Sequence, residues 1–163
     1  MASYQVLVQD LPLGVWTLNK MEALLKTLSF RILVADNFEP WRRFVSSMLQ
    51  NRPGFHVVGE ANDGLEAIQK ASELQADLIV LDLTLSSLNG LEVAKRISTA
   101  LPAAKILFAT QNLDTDVAKA ALRNGANGYL LKVDAGSELL PAIEAVLRGE
   151  QFLSRSVKRK SLS

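Results

Sequence analysis

The side chains of this sequence best placed to do chemistry are two carboxylates, an amide, a hydroxyl and an ammonium, each at the end of a short apolar run. Asp36 and Asn37 follow Arg31-Ile32-Leu33-Val34-Ala35, and Asp82 follows Leu78-Ile79-Val80-Leu81. Thr110 closes Lys105-Ile106-Leu107-Phe108-Ala109, and Lys132 follows Gly128-Tyr129-Leu130-Leu131. Taken singly each has a structural explanation, because Asp, Asn and Thr after a strand often cap the next helix or stabilise a turn. Taken together they make a reagent. A carboxylate beside other oxygen donors binds a hard divalent cation such as Mg²⁺, a lysine gives a point charge to phosphate, and a hydroxyl donates to a phosphoryl oxygen.

Composition removes most other chemistries. The 163 residues contain no cysteine, so there is no disulfide framework, thiolate metal site or thiol nucleophile. The single histidine, His56, lies in the apolar run Phe55-His56-Val57-Val58 and reads as a strand residue, which leaves His-rich metal sites without ligands. No glycine-rich phosphate loop of either common pattern is present. With 18 Lys plus Arg against 17 Asp plus Glu there is no overall basic field, so bulk charge gives no basis for nucleic-acid binding. There is no basic segment leading into an apolar run at the start, and no stretch approaches the ~18 apolar residues of a membrane-spanning helix. The expectation is a soluble, cytoplasmic protein.

To act together these groups must be carried to one edge by regular elements. Between Phe30 and Gly149 short β-branched apolar runs alternate with amphipathic stretches, as repeated βα units around a parallel sheet do. Strands are predicted at Arg31 to Ala35, His56 to Glu60, Asp77 to Leu81, Lys105 to Ala109 and Gly128 to Leu131. The first helix starts near Pro40, carries Trp41, Phe44, Val45, Met48 and Leu49 on one face, and ends at Arg52-Pro53-Gly54. The second follows Gly64 and is expected to bury Leu65, Ile68 and Leu74. The third, Leu91 to Ala100, turns Leu91, Ala94 and Ile97 inward. The fourth spans Asp114 to Arg123, and the fifth Ser137 to Leu147 with Leu140, Ile143 and Leu147 on one face. The fold class is therefore α/β, a doubly wound five-stranded parallel sheet flanked by five helices, whose functional groups gather at the carboxyl edge of the strands.

Outside this unit, residues 1–29 form an N-terminal extension in which Leu18, Met21, Leu24, Leu25 and Leu28 repeat at helical spacing, so part of it is expected to be helical. Residues 150–163 form a basic C-terminal tail with Arg155, Lys158, Arg159 and Lys160, read as solvated.

Four segments, in order, resemble the receiver domain of two-component response regulators, over Phe30 through Gly149. They are Arg31 to Asn37, Leu78 to Gly90, Lys105 to Thr110, and Gly125-Ala126-Asn127-Gly128-Tyr129-Leu130-Leu131-Lys132. The last is most similar to receivers of the subfamily that usually carries a helix-turn-helix output domain. The resemblance implies a flavodoxin-like receiver fold in which Asp82 is the phosphoacceptor, taking a phosphoryl group from a phosphohistidine. It implies that Asp36, Asn37, Asp82 and the backbone carbonyl of Thr84 hold Mg²⁺, that Lys132 pairs with a phosphoryl oxygen, and that Thr110 and Tyr129 are switch residues. Asn37 departs from the family, which usually has a second carboxylate there. A unit charge at 4 Å is worth on the order of 4 kcal/mol at an effective dielectric near 20, so an amide at this place is expected to lower cation affinity.

The function expected is a phosphoacceptor receiver of a two-component phosphorelay, not an enzyme, signalling by a conformational switch and standing alone because few residues follow Gly149. The alternatives are the receiver part of a truncated DNA-binding regulator, or a degenerate receiver that acts without phosphorylation. A haloacid-dehalogenase-type phosphatase would need a second Asp two residues after Asp82, where this chain has Thr84. The partner expected is a sensor histidine kinase or a phosphotransfer protein. A weak homodimer is expected through the fourth helix, fifth strand and fifth helix, that is Asp114 to Arg123, Gly128 to Leu131 and Ser137 to Leu147.

Overall fold

The structure, a computed structural model, describes residues 29–162. The expected helix around Leu18 to Leu28 lies outside the described residues.

Strands β1 (Phe30–Ala35), β2 (Phe55–Ala61), β3 (Leu78–Leu81), β4 (Lys105–Thr110) and β5 (Gly128–Leu131) alternate with helices α1 (Glu39–Leu49), α2 (Gly64–Glu73), α3 (Gly90–Ala100), α4 (Thr115–Arg123) and α5 (Ala135–Leu147). A sixth strand, β6 (Phe152–Leu153), and a sixth helix, α6 (Arg155–Ser161), follow. The sheet is parallel throughout in the order β2-β1-β3-β4-β5-β6. The central strands are apolar at every position over residues 32–35, 78–81 and 106–109 because both faces are covered there, and alternate side chains go to opposite layers. Ile32, Val34, Leu78, Val80, Leu107 and Leu130 meet α1 and α5 through Trp41, Val45, Leu139, Ile143 and Val146. Leu33, Ile79, Leu81, Phe108 and Tyr129 meet the other layer, built from Ala67, Ala71, Val93, Ile97, Ala118, Ala121 and Val157. Three of the helices begin on side-chain caps: Asp63 accepts from the Glu66 amide, Asn89 from the Glu92 amide, and Asp114 from the Asp116 and Val117 amides.

The structure differs from the sequence reading in three respects. Leu65 and Leu91 are exposed, 55% and 38%, instead of buried. The fully buried face of α2 is lined by the small residues Gly64, Ala67 and Ala71 and that of α3 by Gly90, Val93, Ala94 and Ile97, so Leu65 and Leu91 turn outward. On α5 the fully buried stripe is Leu139, Ala142, Ile143 and Val146, while Leu140 and Leu147 are only half-buried. The sheet has six strands, not five, and the basic segment is not a solvated tail. Phe152 and Leu153 pair with Gly128 and Tyr129 of β5. Val157 then enters the core. The Ser154 hydroxyl, fully buried, accepts from the Leu131 amide at 3.0 Å and donates to Glu138 Oε2 at 2.8 Å, with Asp134 Oδ2 at 3.0 Å sharing that proton.

Candidate functional site

Register brings the expected residues to one edge. Ala35 is level with Leu81 across β1 and β3, Leu81 with Phe108 across β3 and β4, and Thr110 with Leu131 across β4 and β5. Asp36, Asp82 and Lys132 are each the first residue beyond their strand, and Thr110 is the last of β4. Backbone bonds fix the two carboxylates at their roots, from the Asp36 amide to the Ala61 carbonyl at 3.0 Å and from the Asp82 amide to the Ala35 carbonyl at 2.9 Å.

Asp36 is fully buried and Asp82 is 3% exposed. Lys132 Nζ stands 2.6 Å from Asp36 Oδ2 and 3.9 Å from Asp82 Oδ1, and lies 5.2 Å from the Trp41 ring centroid. Asp36 Oδ1 accepts the Phe38 amide at 2.8 Å, whereas buried Oδ2 is paired with the Lys132 ammonium and has no other hydrogen-bond partner among the described residues. Burial raises the Asp36 carboxyl above the ordinary carboxylate value, opposed by Lys132 and the Phe38 amide and reinforced by the charge of Asp82. Two buried carboxylates against one ammonium leave a negative excess that a hard cation would neutralise, and Asp36 Oδ2 is an oxygen able to ligate it. No group of three or more His, Cys, Asp or Glu able to hold a metal is found among the described residues, so only two carboxylates, those of Asp36 and Asp82, meet here. Asn37 lies exposed at the rim, next to Asp36.

Sequence reasoning singled out Thr84 for its backbone carbonyl, yet its hydroxyl also bonds the site, donating to Asp82 Oδ2 at 2.8 Å. It also missed Asn112. The Asn112 amide donates to Thr110 Oγ1 at 3.1 Å and its carbonyl accepts the Tyr129 hydroxyl at 2.8 Å, so one loop residue joins Thr110 to Tyr129. Tyr129 is fully buried against Phe108, and burial, with Asp114 and Asp82 nearby, pushes its phenol up to about 12. No pattern signal marks a loop residue that acts through its main chain, which is why Asn112 was invisible. The loop after β3 is held by close backbone approach: a Cβ on Gly90 would fall on the Asp82 carbonyl oxygen and within 2.7 Å of Leu83 Cα. A surface concavity of about 570 Å³ lies elsewhere, between α1 and β2, lined by Arg43, Ser46, His56 and Glu60 among others.

Comparison with known proteins shows the family and the fold. Residues 32–144 match the model of the response regulator receiver domain. The transcriptional regulatory protein LiaR of Bacillus subtilis (strain 168) is 36% identical over 133 residues, 82% of this chain and 63% of LiaR. The response regulator protein VraR of Staphylococcus aureus (strain NCTC 8325 / PS 47) is 33% identical over 130 residues, 80% of this chain and 62% of VraR. The chain thus spans less than two thirds of the length of these relatives. Among solved structures, a two-component response regulator of the LuxR family from Aurantimonas sp. SI85-9A1 superposes with a TM-score of 0.76 at 34% identity, covering 80% of this chain and 94% of that one. The isolated receiver domain of RcsB from Salmonella enterica serovar Typhimurium, solved with phosphomimetic BeF3-, gives a TM-score of 0.75 at 25% identity over 80% of this chain and 97% of that one.

Proposed function

The chain belongs to the response regulator receiver domain family, and from that premise we propose that it is the phosphoacceptor of a two-component phosphorelay, with Asp82 taking the phosphoryl group. The observation that supports this most is the buried Asp82 carboxylate at the end of a central strand, 3.9 Å from the Lys132 ammonium and hydrogen-bonded by Thr84. In the transfer, an Asp82 carboxylate oxygen attacks the phosphorus of a phosphohistidine on a sensor kinase or phosphotransfer protein. A P–O bond forms as the P–N bond breaks, and the electron pair of that bond returns to the imidazole. Such transfer needs positioning and charge neutralisation more than covalent chemistry from the protein. Lys132, held between Asp36 and Asp82, takes a phosphoryl oxygen, and the Thr110 hydroxyl donates to another. Because Asn112 joins Thr110 to Tyr129, movement of Thr110 is passed to the β5 side of the fold. Asp36, Asn37, Asp82 and the Thr84 carbonyl would hold Mg²⁺, which supplies positive charge to the phosphoryl oxygens. In this reading the receiver unit runs on past Gly149 through β6 and α6, residues 1–29 are an extension to it, and it acts in the cytoplasm.

Intact-mass analysis after incubation with a small phosphodonor and Mg²⁺ tests the assignment. The wild type gains one acid-labile, base-labile phosphoryl group and Asp82→Asn gains none. Equal labelling of both would move the site elsewhere, and labelling of neither would make the chain a receiver that works unphosphorylated. A second reading is favoured by one observation: LiaR, named as a transcriptional regulator, is longer than the matched region. The chain is then the receiver part of a DNA-binding regulator, and translation of the gene downstream of Ser163 separates the two.

A further inference from the structure

We propose that Arg42 is a positioning residue for the cation site: it fixes the turn that carries Asn37, and so supplies by preorganisation what this uncharged residue cannot supply by charge. The inference rests on the reading of Asp36, Asn37 and Asp82 as a Mg²⁺ site. Arg42 sits on the first turn and a half of α1, and its side chain is only 15% exposed. Its guanidinium reaches two other segments at once. Nη1 donates to the Asp36 carbonyl at 2.8 Å, and Nε donates to Glu60 Oε2 at 2.8 Å near the end of β2. Glu60 is tied in turn: its Oε1 accepts from the Ser46 hydroxyl at 3.3 Å, and its carbonyl accepts Lys70 Nζ at 2.6 Å.

The consequence for Asn37 follows from the chain. The peptide preceding Asn37 is the one whose carbonyl Arg42 holds, and the peptide following it is the one whose amide, on Phe38, is held by Asp36 Oδ1 at 2.8 Å. Both peptide planes flanking Asn37 are thereby fixed, one by Arg42 and one by the Asp36 carboxylate. A planar guanidinium fork can make two directed bonds that an ammonium cannot. A carboxylate ligand is drawn to a cation over several ångströms, whereas an amide oxygen gains little until it is in place, so the neutral ligand depends more on being held.

Charge and positioning predict opposite signs here. A guanidinium close to the site repels a cation, so if charge governed, removing it would tighten Mg²⁺ binding. If positioning governs, removal weakens binding. Calorimetric titration of MgCl₂ into the full unphosphorylated chain decides, with thermal midpoints recorded beside it. Arg42→Gln and Arg42→Lys are both expected to weaken Mg²⁺ by roughly tenfold, the scale of one charge-assisted hydrogen bond, and Glu60→Gln is expected to weaken it less and in the same direction. In an Asn37→Asp background, which itself is expected to bind Mg²⁺ more tightly, the loss from Arg42→Gln shrinks. Unchanged Mg²⁺ affinity with a lowered thermal midpoint, tighter binding in Arg42→Gln, or an equal loss in both backgrounds would each overturn the role. Mg²⁺ binding that survives Asp36→Asn at wild-type affinity would overturn the underlying site reading, an outcome distinct from any of the Arg42 results.

Discussion

With its own carboxylate buried and that of Asp82 beside it, Asp36 carries a charge that burial opposes and Lys132 only partly offsets. Its folded-state pKa is raised above the unfolded one, so its contribution to stability is fully present below the unfolded value and is lost as pH rises through the folded value. Above that folded value the ionised Asp36 therefore works against folding, in the manner of groups kept for function. Asp36→Asn is expected to unfold at a higher urea concentration than the wild type at pH 7, by on the order of 1 kcal/mol, while losing Mg²⁺ affinity. The gap should close as pH falls below the carboxylate range, and a variant less stable than the wild type at pH 7 would contradict the sign. Tyr129 makes a second case at this scale. Tyr129→Phe removes only the 2.8 Å bond to the Asn112 carbonyl, so a loss of about 1 kcal/mol is expected in denaturant melts, with freer movement of the β4–α4 loop seen as faster amide exchange at Asn112.

The element that sequence reading placed least well is the β6–α6 pair, and Ser154 shows what holds it. Beyond the Leu131 amide and the Glu138 carboxylate already described, the Ser156 hydroxyl donates to Asp134 Oδ1 at 2.8 Å and its amide to Asp134 Oδ2 at 3.2 Å, while the Arg155 amide donates to Glu138. Two carboxylates thus close the start of α6, where a helix favours negative charge. Ser154→Ala strips the acceptor from a buried amide and the donor from Glu138, an expected loss of about 1–3 kcal/mol with early exchange of the Leu131 amide. Burial acts to raise the Asp134 carboxyl, but Ser156, Ser154 and Arg159 outweigh it and hold it below the ordinary value. That contribution is present above the unfolded carboxylate value and is lost as pH falls through the lowered one, so α6 is expected to lose exchange protection in acid before the central strands do. The other five strands were legible because each holds apolar residues enough to show against its surroundings, down to Phe55, Val57 and Val58 in β2. Phe152–Leu153 is two residues long, and Val157 is the only apolar residue within Arg155–Ser161, too little for a periodic signal. Leu65 misled for a related reason: the fully buried face of α2 is made by Ala and Gly, which carry little weight in a hydrophobic pattern, while on α3 Val93, Ala94 and Ile97 take the inward face and leave Leu91 at its edge. At the site, Asp36, Asp82, Thr110 and Lys132 were readable from their places at strand ends, whereas the hydrogen bonds of Thr84 and Asn112 exist only once the loops are folded.

For the molecule as a whole, the added strand changes what a second copy would meet. The proposed dimer face of α4, β5 and α5 now has β6 along the outer edge of β5 and α6 packed beside α4. Its exposed charges include Asp116, Arg123 and Glu144, and α6 adds Lys158 and Lys160. Exposed pairs contribute ~0 to 1 kcal/mol each and are screened by salt, so association is expected to be weak, salt-sensitive and strengthened by phosphorylation. Sedimentation of the wild type, of a chain starting at Met21 and of Arg123→Glu, each with and without phosphodonor, measures it. A phosphorylated wild type that stays monomeric at high micromolar concentration would exclude the dimer. With β6 added, the open flanks of the sheet among the described residues are those of β2, seven residues long, and of β6, two residues long. Ile32 pairs with Val57 and Leu33 with Gly59, so Val58 is skipped and the register shifts in mid-strand. Unpaired strand flanks are templates for uncontrolled stacking, and bulges are one way natural sheets blunt them. A neighbour docking flat against β2 would find its row of amides and carbonyls out of step at Val58, so of the two open flanks one is too short to template fibre-like growth and the other has its repeat broken.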